Sequence, residues 1–109
     1  AEELFARCAP HLPAEIDGGF AVGLNMRWRL YKYGPSDIFR PHTDGSWPGS
    51  GIQNSTGELV QDLFGDRWSQ LTWVLYLNDD FEGGATRFFL RGRDQTTAIA
   101  EVPARRGSV

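Results

Sequence analysis

Alternation of large and polar side chains predicts β-strands along much of the chain. Residues 25–33 alternate Met, Trp and Leu on one face with Arg and Tyr on the other, which is typical of a strand covered on both sides. Residues 69–78 show the clearest alternation, with Leu and Trp on one face and Thr, Val and Tyr on the other. Shorter extended stretches are predicted at 38–44, 85–90 and 96–102.

Helix and loop signals fill the remaining segments. Residues 1–9 contain helix formers with acidic residues at the start, and Pro10 ends them. Residues 10–24 and 45–57 are rich in Gly and Pro and are predicted to be loops. The second is long enough to form a lid over a site, although a plain surface loop is the equal alternative. Gly83 and Gly84 are expected to form a tight turn with positive φ.

Short strands separated by turns, with a single short helix, favour a mainly β fold, either an all-β sandwich or a jelly roll. We expect residues 1–109 to form a single partial domain. Residues 1–24 would supply the N-terminal helix and loop, and residues 25–109 the strands. Because the chain stops at Val109, directly after a turn-like segment at 103–107, we expect the last strands to lie outside it.

Composition narrows the class of partner. The 109 residues include 11 basic and 14 acidic side chains, for a net charge of −3, and no block of Lys or Arg, which argues against nucleic-acid binding. No apolar run is long enough to span a membrane or to resemble a signal peptide, so no membrane partner is expected. The single cysteine, Cys8, forms no internal disulfide, which favours a reducing, cytoplasmic compartment.

The candidate chemistry lies at His42 and Asp44. In an extended segment, residues two apart project on the same side, so both side chains can reach one ion. Pro41 restricts the backbone on either side of itself and helps to hold the pair. A histidine and a carboxylate are two of the three ligands of the facial triad of non-haem Fe(II) oxygenases. A His-x-Asp pair is common by itself, and a solvated turn is the alternative.

Two linked motifs make the assignment more specific. Residues 29–47 read RLYKYGPSDIFRPHTDGSW, and residues 75–88 read LYLNDDFEGGATRF. Together they resemble the Fe(II)/2-oxoglutarate-dependent dioxygenases of the prolyl 4-hydroxylase alpha-subunit type. That family places a Tyr-Gly turn before Pro-His-x-Asp and a later Glu-Gly-Gly-x-Thr-x-Phe hairpin. The resemblance covers roughly residues 24–109 and implies a double-stranded β-helix, the jelly roll of the cupins, here incomplete.

The resemblance also implies site residues and small molecules. His42 and Asp44 match two iron ligands, and Tyr33 matches the tyrosine that contacts 2-oxoglutarate. Thr72 and Tyr76 could line the same cofactor cavity, although ordinary packing is the better alternative for both. The expected cofactors are Fe(2+), 2-oxoglutarate as cosubstrate and, as a further candidate, ascorbate. The family's distal histidine and its Lys or Arg anchor are expected outside the chain, and His11 is expected to be a surface residue.

The implied function is hydroxylation of a C–H bond with O2, giving succinate and CO2 as co-products. The substrate would be a peptide, with peptidyl proline as one candidate, or a small molecule; no catalytic residue is expected beyond the metal site. A second interpretation is a non-catalytic β-sandwich that binds or scaffolds a partner and has lost the complete iron site. A third, a cupin-like metal hydrolase or isomerase, would need more than two histidines.

Overall fold

The computed structural model describes residues 1–90 and 97–109. The chain divides into two units, each of which draws on two separate stretches. Unit 1 contains Ala1–Gly34 and Gly45–Leu71, and unit 2 contains Pro35–Asp44 and Thr72–Val109. No helix in the described ranges has both the length and the apolar composition needed to cross a membrane.

The predicted N-terminal helix is confirmed. Helix α1 spans Glu2–Cys8 and continues into one turn of 3-10 helix over Ala9–His11. Two acidic residues occupy its first turn and Arg7 its last, which complements the helix dipole. Arg7 also lies 3.6 Å from Glu3 across one helical turn, an exposed ion pair of small energetic value.

The second predicted loop, 45–57, is irregular or turn over most of its length, but it also contains one short strand that forms a hairpin in unit 1. Strand β1, Gly51–Ile52, pairs antiparallel with β2, Leu59–Val60, with Gly51 opposite Val60. The ribbon continues beyond the strands as a bridge between Pro48 and Trp68. Gly57, with φ of +71°, closes the turn at the tip by donating its N–H to the Gln53 carbonyl at 2.8 Å.

Small residues allow residues 49–51 to pack closely against the neighbouring chain. Gly49, Ser50 and Gly51 are the residues of the described chain that fall in the buried class, and Ser50 is only 4% exposed. The Ser50 hydroxyl donates to the Gln61 carbonyl at 2.9 Å, and its N–H donates to the side-chain oxygen of Asn25 at 3.2 Å. The Asn25 amide in turn donates to the Pro48 carbonyl at 2.9 Å, so buried polar groups here are satisfied.

Unit 2 contains the other hairpin. Strand β3, Thr86–Phe88, pairs antiparallel with β4, Ala100–Val102, and Arg87 stands directly opposite Glu101. These strands fall inside the predicted stretches 85–90 and 96–102; residues 91–96, including Thr96, lie outside the described residues. The positive φ predicted for the preceding turn is confirmed, at +78° for Gly83 and +72° for Gly84.

Three expected strands are not formed as ladders. The structure assigns no strand to residues 25–33, 38–44 or 69–78. Within 69–78, Ser69 donates its N–H to the Trp47 carbonyl at 2.8 Å, and Tyr76 donates to Ser108 at 3.2 Å and accepts from Gly107 at 2.8 Å. No apolar side chain of the described residues is in the buried class, and Leu30 is 81% exposed. The four short strands form two separate two-stranded sheets, so the jelly roll stays a prediction.

Replacing Gly51 by alanine should destabilise unit 1. A Cβ atom there would lie 2.6 Å from Leu63 Cδ2 and 3.3 Å from the Phe64 ring, so those side chains must move. Because Leu63 and Phe64 are 36% and 46% exposed and can move aside, the cost should lie at or below the low end of the roughly 1–3 kcal/mol of core overpacking, and it should lower the midpoint of urea unfolding. Gly45→Ala is the matched control, because a Cβ there meets nothing within 4 Å and should leave stability unchanged or slightly raised. Equal effects at the two positions would contradict this account of the hairpin.

Candidate metal centre

The orientation of His42 is fixed by a backbone carbonyl in unit 2. His42 Nδ1 lies 2.7 Å from the carbonyl oxygen of Arg40. A carbonyl oxygen can only accept, so Nδ1 must carry the proton and donate it. In the neutral ring, Nε2 therefore holds an unshared lone pair, which is the form of histidine that binds a metal ion.

Asp44 faces that lone pair. Its Oδ1 lies 3.0 Å from His42 Nε2, and its Oδ2 accepts a hydrogen bond from the Thr72 hydroxyl. Thr72 is 28 residues away in sequence, so a second stretch of unit 2 holds the carboxylate. When the imidazole is neutral, two electron-pair donors, Nε2 and Oδ1, point at each other. Only a proton or a metal cation relieves this arrangement.

The pair is open to solvent on one side and packed against an aromatic ring on another. The side chains of His42 and Asp44 are 44% and 53% exposed. The Phe39 ring meets the His42 ring edge to face, with centroids 4.5 Å apart and an interplanar angle of 72°. An ion can therefore reach the donor atoms, while Phe39 and the Arg40 carbonyl restrict rotation of the imidazole.

The surroundings favour a cation at His42. The hydrogen bond to the Arg40 carbonyl raises the pKa of His42 above its ordinary value of 6.5, and the hydrogen bond and charge of Asp44 raise this pKa further. Because both groups are exposed, solvent weakens these effects. The direction is nevertheless the one expected of a site that attracts positive charge.

The two donor atoms fit one metal ion. Ligands about 2.1 Å from a metal and at right angles to each other are separated by about 3 Å, and the observed separation is 3.0 Å. A neutral imidazole nitrogen and a carboxylate oxygen are also the donor types of the facial triad. Among residues 1–90 and 97–109, His, Cys, Asp and Glu side chains form no group of three that could hold an ion.

Thr72 and Tyr76, expected as cofactor-binding candidates, occupy different hydrogen-bonded pairs. Thr72 donates to Asp44, which makes it a support for a candidate ligand. The Tyr76 hydroxyl lies 2.5 Å from the hydroxyl of Thr86, at the start of β3. Binding of 2-oxoglutarate by either residue stays a prediction.

Tyr33 and His11 belong to unit 1. The Tyr33 ring lies 6.4 Å from the Tyr31 ring and is tilted by 31° to it, and Tyr33 is 53% exposed. The two rings are neighbours, although the predicted strand that would place them on one face is not assigned. His11 is exposed at the end of the 3-10 turn, as expected for a surface residue. The contact of Tyr33 with 2-oxoglutarate stays a prediction.

Sequence reasoning missed one contributor to the His42–Asp44 site and one partner of the candidate residue Tyr76. The Arg40 carbonyl was not predicted as the partner of His42 Nδ1, although it lies only two residues away and Pro41 favours the extended backbone that could have indicated it. Thr86 was also missed, and its place in the Gly-Gly-x-Thr-x-Phe motif was the available signal.

Comparison with known proteins adds no assignment, since no family model, curated protein or solved structure matches the chain.

The raised pKa of His42 gives a direct test of the geometry. In the metal-free chain, an NMR titration of the His42 ring should give a pKa above 6.5. Asp44→Asn should lower it, because the neutral amide no longer attracts the imidazolium. The folded state binds this proton more tightly than the unfolded state does. The contribution of His42 to the free energy of unfolding is therefore fully present below about pH 6.5 and is lost as the pH rises through the pKa of the folded state.

Glu82→Gln is the matched control for that titration. It removes one exposed negative charge from unit 2 but leaves both partners of His42 in place. A pKa of His42 that responds equally to the two substitutions would show that net charge, and not the Asp44 contact, is responsible.

Proposed function

We propose that the chain is part of an Fe(II)- and 2-oxoglutarate-dependent dioxygenase of the prolyl 4-hydroxylase type. The reaction would hydroxylate a C–H bond of a peptide, with peptidyl proline as one candidate, or of a small molecule. It would consume O2 and release succinate and CO2. Ascorbate remains a candidate cofactor by the same resemblance.

The single observation that supports the proposal most is the pair of opposed donors. His42 Nε2 and Asp44 Oδ1 lie 3.0 Å apart. The other ring nitrogen of His42 donates to the Arg40 carbonyl, and the other carboxylate oxygen of Asp44 accepts from the Thr72 hydroxyl. Such supporting hydrogen bonds are typical of metal ligands, where they fix the tautomer and the orientation of the donor atom. A solvated turn gives no reason for a contact that spans 28 residues.

The residues of this chain would bind and orient. His42 and Asp44 would supply two ligands, and Thr72 would keep the carboxylate turned toward the imidazole. The Arg40 carbonyl would hold the Nδ1 proton and leave Nε2 deprotonated. When bound, iron and 2-oxoglutarate supply the oxidising chemistry, which no side chain can supply.

The motif resemblance supports the rest of the proposal. It assigns Tyr33 to a carboxylate of 2-oxoglutarate, and the block at residues 75–88 agrees with the same family in order and spacing. The family's site also contains a distal histidine and a cationic anchor, which the resemblance assigns to no residue of this chain.

Metal binding should depend on the pair. We expect isothermal titration calorimetry to detect binding of Mn(II), used as a stand-in for Fe(II), with an affinity weakened by the small number of side-chain ligands, and Mn(II) should broaden the NMR signals of the His42 ring. His42→Ala or Asp44→Asn should abolish the site. Thr72→Val should weaken Mn(II) binding by about tenfold through loss of the supporting hydroxyl, and Thr72→Ser should restore it.

His11→Ala is the control for loss of a histidine, because His11 lies in the other unit. In the full-length protein, His42→Ala should also abolish iron-dependent formation of succinate from 2-oxoglutarate. Mn(II) binding that is lost equally in the His11 variant, or turnover that survives His42→Ala, would contradict the assignment. Binding of the metal without any turnover would favour the scaffold interpretation.

Tyr33→Phe tests the proposed contact with the cosubstrate. A hydrogen bond to a charged carboxylate contributes about 1.5–3 kcal/mol, so the KM for 2-oxoglutarate should rise by roughly ten- to a hundredfold. Tyr31→Phe is the matched control on the same face. An unchanged KM accompanied by weaker folding would show that Tyr33 has only a packing role.

A further inference from the structure

Two arginines of unit 1 lie against a single tryptophan ring. The guanidinium carbon of Arg27 is 4.0 Å from the centroid of the Trp47 ring, and that of Arg29 is 5.7 Å from it. Arg29 also donates a long hydrogen bond, 3.4 Å, to the Tyr31 hydroxyl. Attraction between the cations and the electron-rich ring therefore holds two positive charges close together.

These charges differ from those of three other arginines of the chain, which lie in ion pairs. Arg7, Arg67 and Arg87 each lie within 3.6 Å of a carboxylate oxygen. Within the described ranges, no ion pair joins Arg27 or Arg29 to an acidic residue, although acidic side chains outnumber basic ones by 14 to 11. The local positive charge is thus left for an external anion.

The chemistry of the cluster suits a carboxylate attached to a chain with some apolar surface. A guanidinium group can stack on an aromatic face and still present its N–H edge to two oxygens of one carboxylate. Trp47 is 45% exposed, so a ligand can contact the indole beside the two cations. An aromatic residue flanked by arginines is the composition enriched at protein-binding surfaces.

We propose that Arg27, Arg29 and Trp47 form a binding site for an acidic peptide segment. An Asp or Glu side chain of the peptide pairs with the two guanidinium groups, and the adjoining peptide covers the indole. Nucleic acid is the less suitable polyanion, because its binding requires many phosphate contacts and the chain carries a net charge of −3. The inference rests on unit 1 alone and needs no iron.

Fluorescence anisotropy with a labelled peptide tests the proposal on the metal-free chain. The probe carries two Glu residues among Ala and Pro, and its partner carries Gln in their place. We expect the acidic probe to bind about tenfold more tightly at low salt, a difference of about 1.4 kcal/mol. The double substitution Arg27→Gln with Arg29→Gln should remove this preference, and the corresponding pair of lysine substitutions should restore only part of it.

Arg87→Gln removes one positive charge and is the control for either single substitution, Arg27→Gln or Arg29→Gln, since Arg87 is already paired with Glu101 at 2.7 Å. It should leave the preference for the acidic probe within about twofold of the original, because surface ion pairs of this kind contribute little. Trp47→Phe, which keeps an aromatic face, should retain most of the preference for the acidic probe, and urea unfolding checks the fold of every variant. Equal binding of the two probes, an equal loss in the Arg87 variant, or tighter binding of a single-stranded oligonucleotide would overturn the proposal.

Discussion

The hydrogen bond from His42 Nδ1 to the Arg40 carbonyl is the constraint on which the candidate metal centre depends. It places the proton on Nδ1 and leaves a lone pair on Nε2. In the neutral ring, Nε2 and the Asp44 carboxylate oxygen therefore face each other as two electron-pair donors with no proton between them. Were Nε2 protonated instead, the imidazole and Asp44 would satisfy each other. The cation binding proposed for this pair would thus depend on a main-chain atom, which any residue at position 40 would supply.

The local part of this site was predictable. Residues two apart in an extended segment share a side, so His42 and Asp44 were correctly paired from the sequence, and Pro41 indicated the backbone shape. The hydrogen bond from Thr72 to Asp44 was not predicted, and Thr72 was named only as a candidate cofactor-binding residue. A contact across 28 residues depends on how the chain returns and leaves no local pattern in the sequence. The helix at Glu2–Cys8 and the positive φ of Gly83 and Gly84 are local too, and both were predicted.

Alternation was a poorer guide to the sheets. It describes which faces a strand would present, but a ladder needs a partner strand, and residues 25–33 and 69–78 are assigned none. The loop predicted at 45–57 was largely correct, but the Gly- and Ser-rich composition gave no sign of the short strand at Gly51–Ile52 within it. Gly51 lets its backbone lie close to the Leu63 side chain, which a Cβ atom would contact. The strand that contains Gly51 pairs with Leu59–Val60. Glycine marks both situations, and only the neighbouring chain distinguishes them.

The Asp44–Thr72 contact has a topological consequence. Asp44 is where the chain leaves unit 2 and Thr72 is where it returns, so their hydrogen bond closes residues 45–71 into a ring. The entropic cost of closing such a loop rises only slowly with the number of residues in it, by about 0.6 kcal/mol for each doubling. Residues 45–71 can therefore change in number at little cost to the Asp44–Thr72 hydrogen bond. A cation bound at Asp44, as proposed, would also hold the two ends of this segment together.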